Sequence, residues 1–284
     1  MMDLTGTTAL VTGASRGIGR ALVERLAGAP LKLILAGTRT PESFEPLTAG
    51  DEAGRDADAE MAPQGAAAKA RLPEIRPVHM DLSSRETIEH CCEELGAQLQ
   101  RVDLLINNAG LMTGGLLEQQ NIDAIYAMFQ VNLVAVAHLT RNVLPGMLER
   151  RAGMVVNNAS ISGYAHFPAA TTYAASKAGV VAFTESLRRE LRGSGVRAMH
   201  AITPGVETEM LARTQEVYGR HIDTSRWDRV PAPAWAAKVV AAIEANKRVL
   251  EPGGRSELAR IAAAGPAFLL DAIAARAFSR RPRA

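Results

Sequence analysis

Thr8-Ala-Leu-Val-Thr-Gly-Ala-Ser-Arg-Gly-Ile-Gly-Arg-Ala-Leu-Val-Glu-Arg-Leu-Ala27 changes character twice along its length. Residues 8–12 are short, apolar and β-branched at the end, which reads as a buried strand. Gly13, Gly17 and Gly19 then interrupt it, and residues 20–27 have helical spacing. A glycine turn between a strand and a helix lets the backbone approach a pyrophosphate closely. The helix start then offers unpaired N–H groups and a partial positive charge to that anion. The spacing is GxxxGxG, not GxGxxG. Taken alone, such a turn is also compatible with a plain connection.

Outward from this unit, strand-like runs recur at residues 31–36, 77–81, 104–108, 154–157 and 196–202, mostly with helical patterns between them. That alternation predicts one α/β domain: a parallel sheet covered by helices on both faces, with right-handed crossovers. The domain is expected over residues 1–250. The hydrophobic fraction of 47% with only 4% aromatics predicts a core of Ala, Val, Leu and Ile. Two segments break the rhythm. Residues 40–74 have few large apolar side chains and read as a mobile loop insertion with a helical piece near 66–71. Residues 251–284 read as a C-terminal helical extension, apolar at Leu258, Ile261, Phe268, Leu269, Ile273 and Phe278, with Arg280, Arg281 and Arg283 at its end.

A formal net charge of +2 is too small to imply a nucleic-acid surface. Cys91 and Cys92 are adjacent and have no CxxC or His/Cys ligand spacing, so neither a redox motif nor a metal site is indicated. Free thiols in a reducing compartment are the expectation. The start Met-Met-Asp-Leu-Thr-Gly lacks the features of a signal peptide, and no uninterrupted apolar run reaches the ~18 residues of a membrane span. A cytoplasmic location is therefore expected.

Four further motifs follow the glycine loop in order: Asn107-Asn-Ala-Gly110, Asn132 in Val131-Asn-Leu, Ser160 ahead of Tyr173-Ala-Ala-Ser-Lys177, and Pro204-Gly205 after the sixth strand. Together with Thr12-Gly-xxx-Gly-x-Gly19 they resemble the short-chain dehydrogenase/reductase family over about residues 4–250. The resemblance implies a doubly wound Rossmann-type fold. It also implies an NAD(P)-dependent oxidoreductase that interconverts a carbonyl and a secondary alcohol by hydride transfer. Asn132, Ser160, Tyr173 and Lys177 would be the catalytic set. Gly13, Ser15, Arg16, Gly17, Ile18 and Gly19 would cradle the cofactor. Asp81 and Leu82 would hold the adenine, and Asn108, Ala109 and Gly110 would line the ribose. Pro204, Gly205, Val206 and Thr208 would meet the nicotinamide, although PGxxT is one residue shorter than the usual PGxxxT. For NNAG, steadying the neighbouring strands through side-chain amides is an alternative or an additional role.

The chemistry of these residues agrees with the implied roles. Tyrosine, with an ordinary pKa near 10, ionises little at pH 7, and an ammonium nearby favours the phenolate. Tyr173 and Lys177 are four apart and share a helix face, and Lys177 should also bond the nicotinamide ribose. Ser160 would stabilise the substrate oxygen, and Ser162, the competing serine, does not match the family spacing. Asn132 would hold a water linking Lys177 to solvent, or else would only open a helix bend. At the tip of the second strand stand Thr38 and Arg39 and no acid. With Arg16, these favour a 2′-phosphate, hence NADP(H) over NAD(H). The bland alternative is that both arginines are solvated.

Met112, His166, Phe167, Met210, Tyr218 and Trp227, with His221, are the candidate contacts of a small carbonyl or alcohol substrate. His166 and His221 read equally as exposed loop histidines. The tail packs over the substrate cleft or a second subunit, or alternatively lies on a membrane surface as a basic amphipathic segment. A homodimer or homotetramer is expected from the family, with Ala174, Ala175, Ala178 and Gly179 as a small-residue surface. An intact catalytic set speaks against a non-catalytic NADP(H)-binding sensor.

Overall fold

The computed structural model describes residues 1–47, 72–218, 220–222, 224 and 227–281. The helical piece expected near 66–71, and most of the 40–74 insertion, lie outside the described residues.

β1 (Thr8–Thr12) is buried along its whole length. Its side chains alternate between two cores, as a pleated strand requires. Ala9 and Val11 enter one core with Ile34, Leu104 and Trp235. Leu10 enters the other with Leu35, Leu105 and Leu139. A strand apolar on both faces must be covered on both faces. One cover is the pair α1 (Gly17–Ala27) and α7 (Ala232–Glu244), and the other is built from α2 (Arg85–Leu95), α4 (Ala135–Arg150) and α5 (Thr171–Glu190). The remaining strands of the main sheet are β2 (Leu33–Thr38), β3 (Glu74–His79), β4 (Leu104–Asn107), β5 (Gly153–Asn158), β6 (Val196–Ala201) and β9 (Val249–Leu250). Their order is β3-β2-β1-β4-β5-β6-β9, and every pair is parallel. This is the single-domain doubly wound sheet expected. The order reverses between β1 and β4, so a crevice opens beyond their carboxyl ends.

Several boundaries differ from the sequence reading, and β2 runs two residues later than the expected 31–36, ending at Thr38. α1 begins at Gly17, so the last two glycines of the loop belong to the first helical turn. β3 begins at Glu74, inside the expected insertion, and ends at His79, which puts Asp81 in the loop beyond it. Arg76 and Pro77 masked this strand, because its residues are only partly buried. β9 adds a seventh strand too short for pattern reading.

α3 (Ile122–Phe129) continues through a π-helical segment, Gln130–Val134, into α4. By length and composition alone, residues 122–150 could cross a membrane. In this fold Ala135, Leu139, Val143 and Met147 are buried in the sheet layer, whereas Ile122, Tyr126 and Val134 are exposed. After β6 come a short parallel pair, β7 (Val206–Glu207) and β8 (Val230–Pro231), and between them α6 (Glu209–Tyr218). The extension is helical, as expected: α8 (Gly254–Ala264) and α9 (Ala267–Ala277). Leu258, Ile261 and Phe268 on these helices are exposed, while Phe278 packs back onto Tyr218, Ile222 and their neighbours.

Beneath the crevice the strands are cross-linked by buried amides. Asn107 Nδ2 donates to Asn157 Oδ1 at 2.8 Å and to Thr140 Oγ1 at 3.2 Å, and Asn157 Nδ2 donates to Thr184 Oγ1 at 2.8 Å. Each bond joins β4 or β5 to a helix or to the other strand. Replacing Asn157 with Ala leaves these buried groups short of partners, at a cost of about 2–3 kcal/mol. Urea unfolding should show a lower midpoint at unchanged slope; an unaltered midpoint would deny the amides their structural weight.

Candidate active site

The glycine loop is built for close approach. Gly13 has φ +65°, and a Cβ there would lie 2.9 Å from Ala109 Cα. A Cβ on Gly19 would meet Gly13 O at 2.0 Å and Asn108 Nδ2 at 2.6 Å. No side chain other than hydrogen fits at Gly19, so the loop folds back on itself against β4. Arg16, in extended conformation, is the N-cap of α1 and makes no side-chain capping bond, and the first turn carries no acidic residue. The uncapped helix start therefore presents its N–H groups and its positive end to the crevice. Ser15 and Arg16 are exposed there and Ile18 is anchored on the core. This cradle fits the pyrophosphate of a dinucleotide.

Thr12 and the NNAG segment lock together. The backbone N–H groups of Asn108 and Ala109 both donate to Thr12 Oγ1 at 3.0 Å, and Asn108 Nδ2 donates to Thr12 O at 3.0 Å. Asn158 Nδ2 donates to Asn108 Oδ1 at 3.1 Å, and Thr203 Oγ1 bonds Asn158 Oδ1. The steadying role for NNAG is thus present in full. Gly110 lies between two functional side chains: its Cβ would be 3.4 Å from Asn132 Oδ1 and 3.7 Å from Lys177 Nζ.

At the adenosine end, Asp81 accepts the N–H of Ser83 at 3.0 Å, and its own N–H donates to Cys91 Sγ at 3.3 Å; Leu82 is buried. Thr38 is buried and its Oγ1 accepts the N–H of Thr40, whereas Arg39 is exposed. Arg16 is already engaged: its guanidinium pairs with Glu209 at 2.5 Å, and Glu209 also pairs with Arg213. Cys91 and Cys92 are both free thiols.

The segment after β6 closes onto the glycine loop. Gly205 must lack a side chain, since its Cβ would strike Asp228 O at 2.0 Å, and Val230 N–H donates to Gly205 O at 2.9 Å. Thr208 accepts the N–H of Leu211 at 3.3 Å, and its methyl lies 3.1 Å from a Cβ position on Gly17. The shortened segment following Pro204-Gly205 therefore still brings Thr208 to the glycine loop, while the Val206 side chain is buried in the core.

Ser160 caps a one-turn 3-10 helix, Ile161–Gly163, accepting the N–H of Ser162 at 3.2 Å. Its hydroxyl also interacts with the phenol of Tyr173, in the first turn of α5, so Ser160 and not Ser162 is the serine at the phenol. Lys177, one turn further on, is buried and donates to Asn158 O at 2.8 Å, with Nζ 6.0 Å from the Tyr173 ring centre. The electrostatics correct the sequence expectation. Burial pushes the Tyr173 phenol above its usual pKa, with the Ser160 bond acting in the opposite sense. Burial also lowers Lys177 to about 8. Desolvation thus outweighs the acidification expected from the ammonium. Asn132 is buried in the π segment. Its Oδ1 accepts the N–H of Leu111 at 2.8 Å, and its Nδ2 donates to Leu111 O at 2.9 Å and Ser176 Oγ at 3.1 Å. The side chain pins the turn after Gly110 to α5, because the π segment delivers it there.

Met112, Phe167, Tyr218 and Trp227 do come together, with Ala169, Ala170, Ile222 and the tail residue Phe278. His166 is exposed, with Nδ1 3.2 Å from Ser162 O, and Met210 is exposed at the start of α6. His221 is no exposed loop histidine: it is buried, with Nδ1 2.8 Å from Ser279 O. Asn158, Ser176 and Glu209 were not singled out in the sequence, and Phe278 was named only as an apolar residue of the tail. Asn158 stands two residues before Ser160, where an amide was legible; Phe278 lies too far along the chain for any local signal.

The short chain dehydrogenase family model matches residues 7–219. A short chain dehydrogenase of Pseudocercospora fijiensis is 36% identical over 211 residues, covering 73% of this chain and 62% of that protein. The 3-oxoacyl-[acyl-carrier-protein] reductase FabG of Vibrio harveyi is 34% identical over 212 residues, covering 74% of this chain and 77% of that protein. A solved short chain dehydrogenase from Burkholderia cenocepacia, in complex with NADP, superposes with TM-score 0.76 at 24% identity, covering 96% of this chain and 99% of that one. With the glycine cradle, the crevice and the Ser160–Tyr173–Lys177 cluster in place, these matches show that the chain belongs to the short-chain dehydrogenase family of NAD(P)-binding oxidoreductases.

Proposed function

We propose that the protein interconverts a carbonyl compound and a secondary alcohol with NADP(H), using Tyr173 as the general acid and base. The observation that carries this is the meeting of Ser160, Tyr173 and Lys177 beside the glycine cradle. The bound nicotinamide supplies the hydride for reduction, or accepts it in oxidation. In reduction, Tyr173 donates its proton to the oxygen that gains charge. A buried phenol with a raised pKa holds that proton until a developing alkoxide draws it off. Ser160 donates to the same oxygen and stabilises its charge. Lys177, still largely cationic at neutral pH with a pKa of about 8, steadies the resulting phenolate and has further N–H donors for the nicotinamide ribose. Asn132 positions the Gly110–Leu111 turn and α5, and would hold the water that links Lys177 to solvent.

Cofactor preference follows from the end of β2, which offers Thr38 and Arg39 and no carboxylate. Arg39 and Arg16 together suit a 2′-phosphate. Arg16 then exchanges its exposed pairing with Glu209 for the phosphate, a modest cost for a surface pair. Asp81 and Leu82 would hold the adenine, Asn108, Ala109 and Gly110 the ribose, and Pro204, Gly205, Val206 and Thr208 the nicotinamide. Exposed Ile122, Tyr126 and Val134 support a homodimer or homotetramer through α3 and α4. Ala174 is buried and Gly179 abuts Leu133 of its own chain, so the small-residue surface expected on α5 is partly used within the subunit. Two unpaired cysteines support a reducing, cytoplasmic location.

Tyr173→Phe should lower kcat by about 10²–10⁴ while NADPH fluorescence titration shows nearly unchanged binding. Ser160→Ala should lower kcat by about 10²–10³. Retained turnover in Tyr173→Phe removes the phenol from the reaction, and NADPH binding without turnover in the parent enzyme would instead mark a sensor. Steady-state kinetics with both cofactors should give the lower KM for NADPH; a lower KM for NADH overturns the assignment of Arg16 and Arg39.

Lys177 also carries a stability signature. Between its native pKa of about 8 and its ordinary value of 10.5, the unfolded chain holds a proton that the native chain has lost. Stability therefore rises with pH across that window, and below it the burial penalty is constant. Lys177→Met should stabilise the cofactor-free protein at pH 7 by on the order of 1–3 kcal/mol. The gain should fade towards pH 10.5, as thermal melts at both pH values can show.

A further inference from the structure

The apolar cluster beside Tyr173 is assembled from segments far apart in the chain. Met112 comes from the loop after β4, Ala169 and Ala170 from just before α5, Tyr218 and Trp227 from the segment between β7 and β8, the lid of the crevice, and Phe278 from the tail. Ala170 places the cluster beside the phenol: it is the N-cap of α5, whose first turn carries Tyr173, and it packs in one cluster with Tyr218. The Tyr218 ring fits only because Gly114 has no side chain, since a Cβ there would lie 2.0 Å from Tyr218 Cε1. Its hydroxyl donates to Thr113 O at 3.2 Å, so the lid is tied to the β4 loop over this cluster.

The tail then bridges the same two segments. Phe278 forms an antiparallel bridge with Ile222, and its ring centre is 6.3 Å from that of His221. Ser279 N–H donates to His221 O at 2.8 Å, His221 Nδ1 is 2.8 Å from Ser279 O, and Arg280 pairs with Glu118 at 2.5 Å. His221 belongs to the lid and Glu118 to the loop between β4 and α3. Residues 278–280 therefore run as a strap from one lip to the other.

We propose that this strap forms part of the substrate site and restricts it to free, uncharged, mainly apolar carbonyl compounds and their alcohols. Acyl groups tethered to coenzyme A or to a carrier protein are excluded. Two physical costs set that choice. A carboxylate or phosphate moved among Met112, Ala169, Ala170, Trp227 and Phe278 gives up its hydration to apolar side chains. A thioester tether would have to pass where the strap joins lid to loop, breaking the His221 and Glu118 contacts. An apolar ketone gains burial from the same walls.

This inference rests on the proposed carbonyl reaction, so its test has a binding arm independent of turnover. 2-Octanone is titrated against the NADPH complex and followed by tryptophan fluorescence, with Trp227→Phe identifying the reporting ring. A saturable change, weakened about tenfold or more in Phe278→Ala and recovered in Phe278→Leu, is expected. Absence of a saturable change, or an unchanged Kd in Phe278→Ala, overturns the strap's role whatever the catalytic result. In the kinetic arm, NADPH oxidation is compared for 2-octanone, acetoacetate and acetoacetyl-CoA. The ketone should show the highest kcat/KM by about tenfold or more, and Arg280→Ala should raise the relative rate with acetoacetyl-CoA. Equal or faster turnover of acetoacetyl-CoA by the parent enzyme overturns the proposed selection. Saturable 2-octanone binding without turnover of any carbonyl supports the compartment while defeating the reaction proposed above.

Discussion

Asn108 holds three strand ends in one place, and the rest of the site depends on that grip. Its amide reaches Thr12 at the end of β1 and receives Asn158 at the end of β5, while Thr12 takes two backbone N–H groups in return. These bonds are partly buried, so a missing partner would carry part of its desolvation penalty. The arrangement explains why an α/β domain whose strands are otherwise apolar carries amides and hydroxyls at their carboxyl ends. The glycine cradle sits on one side of this clamp, and Asn158, whose carbonyl receives Lys177, sits on the other. Cofactor seat and proton-transfer cluster are thereby fixed relative to one another by a few partly buried hydrogen bonds rather than by loop rigidity.

The free enzyme holds its phenol and its ammonium in electrostatic tension. Lys177 is buried and Tyr173 half-buried, and desolvation works against the charged form of each. The pair is thus poised with the proton on the phenol and with an amine that is easily neutralised. A lysine without a carboxylate partner, bonded to a carbonyl oxygen, is poorly compensated. The fold tolerates it because the surrounding packing of α5 on the sheet supplies stability elsewhere.

Much of this was legible in the chain. The doubly wound sheet followed from buried strands alternating with amphipathic helices, and the bounds of β1 came out as read, since a strand apolar on both faces leaves an unbroken run. The motifs with fixed local spacing, such as Tyr173 and Lys177, also came together, because helical geometry converts a four-residue interval into proximity. What escaped depended on contacts between distant segments. Glu209 pairs with Arg16 across the crevice, and the tail, expected over the cleft, reaches it through a bridge between Phe278 and Ile222 that no local pattern marks. The balance of charge at Tyr173 escaped as well, since proximity to a cation can be read from spacing but the depth of burial cannot.

The π segment between α3 and α4 sets a constraint of a different kind. A π turn accommodates one residue more than an α turn. That surplus delivers Asn132 to Leu111 and Ser176 while Ala135 and Leu139, further along, still meet the sheet. Losing a single residue there would let the ladder revert to α geometry with the later side chains still in register, whereas reverting with every residue kept would swing them by roughly 100° about the helix axis. Leu139, Val143 and Met147 would then leave the sheet layer together. The wide turn is therefore what reconciles the reach of Asn132 with the packing of α4 on the sheet.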